Sequence, residues 1–205
     1  MSPEFQPEII AHATNTKAEA RRASLNGQRA ELDIAQALDG TLVLNHSGPG
    51  GLLKLGESFE AGLRWIEGGS ILDVHHPFLK GRYVEKFVEA VQESGIKDAI
   101  VSGRPYEVVS RICELSGLRA GYGIGRKRHL DEFDRKRSWL HPASYLSIKD
   151  SLASENLIKR LQDEGVGVLV WGVFNNPRRE EELAKLQVDA IISSASSPRP
   201  FISGL

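Results

Sequence analysis

The stretch SILDVHHPFLKGRYVEKFVEAVQESGIKDAIVS, residues 70–102, decides the reading of the fold. Ser70 to His75 is a short apolar run of the length and composition of a buried strand, and Asp98 to Ser102 is another. Between them, Val84, Phe87, Val88 and Val91 recur at helical spacing over Tyr83 to Ser94, and Gly95 supplies the stop. Strand, amphipathic helix and strand in this order form a crossover unit whose two strands run parallel.

The same alternation extends in both directions. Upstream, Glu8 to His12 reads as a strand, Lys17 to Leu25 as a helix and Arg29 to Ala35 as a strand. A turn at Asp39-Gly40, where glycine supplies the positive φ, then leads to the extended piece Thr41 to Asn45, and Ser58 to Glu67 reads as a helix. Downstream, strands are expected at Ala120 to Ile124, Tyr145 to Ile148, Val166 to Val173 and Val188 to Ser193. Helices fit at Tyr106 to Leu115, Ser154 to Glu164 and Pro177 to Lys185. With Arg29 to Asn45 counted as one region, this is the inventory of a compact, single-domain α/β protein, a (β/α)8 TIM barrel; a doubly wound open sheet is its competitor. At 205 residues the barrel is a lean one. The domain is expected to span 6–197, with 1–5 resembling residues left by an expression vector and 198–205 a C-terminal tail.

Lys and Arg number 26 against 27 Asp and Glu, for a net charge of -1, so bulk attraction to nucleic acid or anionic lipid is not expected. The basic residues of 126–137 alternate with Asp131, Glu132 and Asp134 and make no same-sign stripe. Gly121, Gly123 and Gly125 lack the third glycine of the dinucleotide fingerprint. One cysteine, Cys113, excludes an intramolecular disulfide framework and multi-cysteine metal sites. No run reaches the roughly 20 apolar residues of a membrane helix and no signal peptide is legible, so the expected location is cytoplasmic without membrane insertion. The oligomeric state is not legible.

On a barrel, chemistry collects at the C-terminal strand ends, where residues two apart on a strand share a face. Those ends carry His12, the pair Glu31 and Asp33, the pair Asp73 and His75, and His46 after the extended piece. Three carboxylates gathered together are electrostatically costly unless a cation compensates, and oxygen ligands suit one Mg2+ or Ca2+; the alternative is that such residues bind helix N-termini or a loop Arg. His12 and His46 then divide general acid and base work, since imidazole titrates near neutrality. His76, His129 and His141 are expected to face solvent.

At these residues the sequence resembles the glycerophosphodiester phosphodiesterase-like superfamily, (β/α)8 barrels that include the sphingomyelinase D-type phospholipases. The resemblance is carried by the strand ending in His12, by RAELDIAQALDGTLVLNHS, by ILDVHH and by GVLVWGVFNNPRREEELAKLQVDAIISS. It implies phosphodiester chemistry with Glu31, Asp33 and Asp73 on the metal, His12 and His46 catalytic, and Trp171 bordering the substrate pocket. The chain departs from the glycerophosphodiesterases in having Ala13 where they place Arg and Ser47 where they place Asp. The His-x-x-Asn of His12 to Asn15 and the Asp at 73 are closer to the sphingomyelinase D branch, whose cysteines are missing.

The resemblance implies a small phosphodiester substrate, either a glycerophosphodiester or a sugar phosphodiester of the agrocinopine type, cleaved with or without a cyclic phosphate on the way. Without the Arg, phosphate charge falls to the metal, His75, Arg104 or Lys149. A sphingomyelinase D-like lyase, a non-catalytic barrel that binds a phosphorylated ligand, and a metal-free isomerase or aldolase are the alternatives.

Overall fold

The computed structural model describes residues 5–46, 56–66, 68–74, 82–174 and 176–194. Eight parallel strands form a closed ring: β1 (Glu8–His12), β2 (Arg29–Gln36), β4 (Ser70–Val74), β5 (Ala99–Gly103), β6 (Arg119–Ile124), β7 (Ala143–Lys149), β8 (Gly167–Trp171) and β9 (Ala190–Ser194). Closure comes from β1, which pairs with β9 along its whole length and with β2 at Ile10↔Arg29 and Ala11↔Ala30. The expected barrel is the observed one.

The helices between strands are α1 (Lys17–Leu25), α2 (Phe59–Leu63), α3 (Tyr83–Ser94), α4 (Tyr106–Ser116), α5 (Lys127–Lys136), α6 (Glu155–Asp163) and α7 (Pro177–Lys185). Among the described residues, no helix is long and apolar enough to cross a membrane.

Strand alternation sorts the apolar residues into two layers. Outward positions such as Leu32, Leu72, Val101 and Val168 pack with the helices into the larger cluster. Inward positions form a small cluster of Ile10, Ile71, Ile100, Leu169, Ala190 and Ile192, with Tyr145 and Trp171 against it. Arg29 and Glu8 form an ion pair at the N-terminal strand ends, and Arg119 there binds Asp98 and donates to the Tyr145 hydroxyl at 2.7 Å.

Two departures from even packing shape the opposite end. β2 is long, and its last residues pair antiparallel with β3 (Leu42–Leu44) through Ile34↔Leu44, Ala35↔Val43 and Gln36↔Leu42. The hairpin turns at Asp39-Gly40, where the Asp39 carboxylate accepts from Thr41 N–H at 2.9 Å and Gly40 has φ 80. It brings the chain back toward the barrel, with Asn45 N–H donating to Asp33 O at 2.9 Å. The second departure is Gly103, which ends β5 with φ 151, where an added Cβ would stand 2.6 Å from the Val74 carbonyl oxygen. Only glycine lets β4 and β5 approach this closely at the rim. Gly103→Ala is expected to cost about 1–3 kcal/mol. A lower urea midpoint at unchanged slope checks this, and an unmoved midpoint counts against it.

Candidate active site

The C-terminal strand ends surround a cavity of about 540 Å3. One part of its wall is acidic and imidazole-bearing: His12 from β1, Glu31 from β2, Asp73 from β4, and His46 two residues past β3. The returning hairpin is what brings His46 to His12, their rings 5.1 Å apart and inclined at 67°. His12 Nε2 lies 3.6 Å from Glu31 Oε2, with the imidazole 29% exposed and the carboxylate 7%. An imidazole with one nitrogen facing a carboxylate and a second imidazole at its edge is suited to passing a proton.

The loop after β1 is tied to β2 residue by residue. Ala13 N–H donates to Glu31 Oε2 at 3.3 Å, and Thr14 gives both its N–H and its hydroxyl to Glu31 O at 2.8 Å. Asn15 Nδ2 donates to Asp33 Oδ2 at 2.7 Å, while its carbonyl oxygen accepts from Asp33 N–H at 2.9 Å. Thr16 then caps α1 in a capping box, its hydroxyl accepting from Glu19 N–H and its N–H donating to the Glu19 carboxylate. Reaching these partners requires Ala13 to adopt φ 54, left-handed backbone that a non-glycine residue adopts only when its surroundings impose it.

The structure thus brings together His12, Glu31, His46 and Asp73 on one cavity wall. Asp33 is fully buried and stands in register with Asp73 on the neighbouring strand, behind the wall and held by Asn15. Asn15 lines a neighbouring groove with Thr16 and His46. Among the described residues, no three His, Cys, Asp or Glu side chains are gathered tightly enough to form a ready metal cluster. His75 and His76 lie outside the described residues.

Trp171 lines the cavity, with its indole Nε1–H donating to Ser147 O at 3.3 Å. Exposed Lys149, at the end of β7, holds Nζ 5.8 Å from the Trp171 ring centroid. Gly121 and Gly123 serve packing: a Cβ on Gly121 would stand 2.9 Å from Ile100 Cγ2 and one on Gly123 3.2 Å from the Gly103 carbonyl carbon, whereas one on Gly125 would stand in ordinary contact, 3.4 Å from Trp171.

His129 departs from the expectation of a solvent-facing residue. It is 5% exposed and lines the cavity, because 127–136 is a helix whose inner face carries His129 and Phe133. An apolar residue four positions on is the sequence signal that marks this face. Arg104 Nη1 approaches His129 Nε2 at 3.3 Å, and Gly125 N–H points at Nδ1 from 3.3 Å. The Tyr106 hydroxyl holds the segment by donating to Gly123 O and His129 O.

No family model and no curated protein matches the chain. Solved structures do. A phosphodiesterase from Oleispira antarctica, in complex with its product sn-glycerol-3-phosphate, superposes with a TM-score of 0.74 at 16% identity, covering 92% of this chain and 93% of that one. A glycerophosphodiester phosphodiesterase from Parabacteroides distasonis gives 0.72 at 18% identity, covering 93% of each chain. One from Thermotoga maritima gives 0.69 at 15%, covering 94% and 95%. The chain has the fold of the glycerophosphodiester phosphodiesterases.

Burial, and after it the charges of Arg104, Arg128 and Arg126, hold the His129 imidazole below its ordinary range. As pH falls, the unfolded chain therefore protonates this residue first. Its contribution to stability is complete above about pH 6.5 and is lost as pH drops below that value. A proton NMR titration is expected to place the His129 midpoint below about 6.5, and a midpoint above it would contradict the packing described here.

Proposed function

We propose that the chain is a metal-dependent phosphodiesterase acting on a small phosphodiester, either a glycerophosphodiester or a sugar phosphodiester. The observation that carries this reading is the His12–His46 pair, set against Glu31 and beside Asp73 in one cavity at the C-terminal face of the barrel. Fold-level likeness to enzymes of this activity, one of them holding sn-glycerol-3-phosphate, supports the same substrate class.

The donor chemistry fits a hard divalent cation, Mg2+ or Ca2+. Glu31 and Asp73 present carboxylate oxygens to the cavity, and Asp33 stands in register with Asp73, so three like charges occupy neighbouring positions on adjacent strands. Glu31 and Asp73 would hold the ion, with the buried Asp33 behind them adding negative charge rather than a ligand oxygen; the ion when bound would offset charge developing on a non-bridging phosphate oxygen.

The side chains divide the remaining work. One imidazole of the pair takes the proton from the attacking hydroxyl, and the other gives a proton to the departing alcohol oxygen. Glu31 orients the His12 ring. Asn15, by holding Asp33 and its own loop, fixes where His12 stands relative to β2. Trp171 offers a flat wall to a sugar or glycerol unit, and Arg104 and Lys149 supply positive charge along the rim. When the attacking hydroxyl belongs to the substrate, a cyclic phosphate forms first; water opening it gives net hydrolysis. Phosphorus NMR of the products separates a hydrolase from a sphingomyelinase D-like lyase.

His12→Ala and His46→Ala are each expected to lower turnover of glycerol, choline or sugar phosphodiesters by about 10²–10⁴-fold with the unfolding midpoint retained. Unchanged rates in both variants would remove the acid–base assignment, and no chelator-sensitive turnover on any substrate would favour a barrel that only binds. Calorimetric titration with Mg2+ and Ca2+ gives a readout independent of activity. Glu31→Gln and Asp73→Asn are each expected to weaken metal binding by at least about tenfold, equivalent to about 1.4 kcal/mol.

A further inference from the structure

The polar groups around His129 stand apart from the acidic wall. Around the ring the strands run β1, β2, β4, β5, β6, β7, β8 and β9, which puts β6 opposite β1. Eight strands about 4.8 Å apart and tilted by about 36° enclose a ring about 15 Å across between backbones. Gly125 follows β6, His129 lies in the first turn of α5, and Arg104 follows β5. All three line the cavity that His12 and Glu31 enter from the other side.

Both groups that approach the His129 ring are donors. A guanidinium and a backbone N–H carry no lone pair to offer, and a neutral imidazole has only one acceptor nitrogen. One of the two 3.3 Å approaches therefore sets N–H against N–H, and protonating the ring would make both do so. Arg104 forms no ion pair with a carboxylate among the described residues. The first turn of α5 carries no acidic residue, and its N-cap, Arg126, makes no side-chain capping bond. The result is a surplus of donors and positive charge on the wall of a cavity.

An anion resolves the conflict. With the ring proton on Nε2, His129 and Arg104 both donate to the anion, and Nδ1 keeps its lone pair for Gly125 N–H. We propose that Arg104 and His129 form an anion subsite distinct from the position of the reacting phosphate, taking a phosphate or carboxylate carried on the substrate's alcohol portion. The inference deepens the phosphodiesterase reading and rests on it, since it places the reacting phosphate on the Glu31 side. It names the substrate class as phosphodiesters whose alcohol bears a second negative group.

The test is calorimetric binding, in the presence of Mg2+, of α,ω-alkanediol bisphosphates of increasing length, with the matching phosphoalkyl carboxylates and alkyl monophosphates. Either doubly anionic series is expected to bind at least about tenfold tighter than the monophosphate at its best length. Arg104→Gln is expected to erase that advantage, and the nitrogen NMR signals of His129 in the unsubstituted protein to report the Nε2–H form on binding. Equal affinities for mono- and dianionic ligands, or an equal loss for both in Arg104→Gln, would overturn the subsite. The preferred series distinguishes phosphate from carboxylate. A protein that shows the advantage but cleaves no phosphodiester keeps the subsite and loses the hydrolase reading. One that cleaves diesters of uncharged alcohols with no such advantage does the reverse.

Discussion

The reciprocal hydrogen bonds between Asn15 and Asp33 are the constraint on which the candidate site depends. An amide can donate and accept at once, and Asn15 uses both ends, one on the carboxylate and one on the backbone N–H of the same residue. This holds the loop after β1 in a single register against β2. Thr14 repeats the fastening on the Glu31 carbonyl, and the capping box at Thr16 passes it into α1. The positive φ of Ala13 is the conformational cost of these bonds, on the order of 1–3 kcal/mol for such a residue. In return His12 stands at a fixed distance from Glu31, so the proposed acid–base group would not depend on a flexible loop for its position.

The cavity depends on small residues as much as on polar ones. Ile100 occupies space that a side chain on Gly121 would take, and Trp171 lies in ordinary contact distance of a Cβ on Gly125. At this side of the barrel Gly123 and Gly125 line the cavity, and His129 and Arg104 share its wall with Trp171. The hairpin of β2 and β3 acts in the opposite sense by adding chain above the acidic side and folding His46 over it.

Much of this was legible in the sequence. Parallel strands buried on both faces read as apolar runs, and the helix from Tyr83 to Ser94 was plain from its period. Period-two alternation also put Glu31 and Asp33 on one face of β2, and strand-end logic put His12 and Asp73 beside them. Depth was not legible. Nothing in the spacing says that Asp33 is fully enclosed while Glu31 reaches the cavity, because that depends on where Asn15 lands. His129 was misplaced for a related reason. A polar helix reads as solvated, and its rotation about its own axis is set by Phe133 packing against Tyr106 and Tyr122 rather than by its charges.

The net charge of -1 conceals a polarised mouth. Carboxylates collect at the ends of β2 and β4, cations near the ends of β5 and β7, and the start of α5 adds Arg126, Lys127 and Arg128. On the proposed reading a cation occupies the acidic side, for otherwise the carboxylates would repel the anion that the basic side attracts. With a divalent ion there, both sides would attract anions, and a substrate with two negative groups would lie across the mouth in one direction only. On the proposed reading the alcohol portion would then point toward Arg104 and Trp171, and the phosphodiester toward His12 and His46. Orientation of this kind would need no long loops or inserted domain, so a barrel of 205 residues could select a substrate with the side chains at its strand ends.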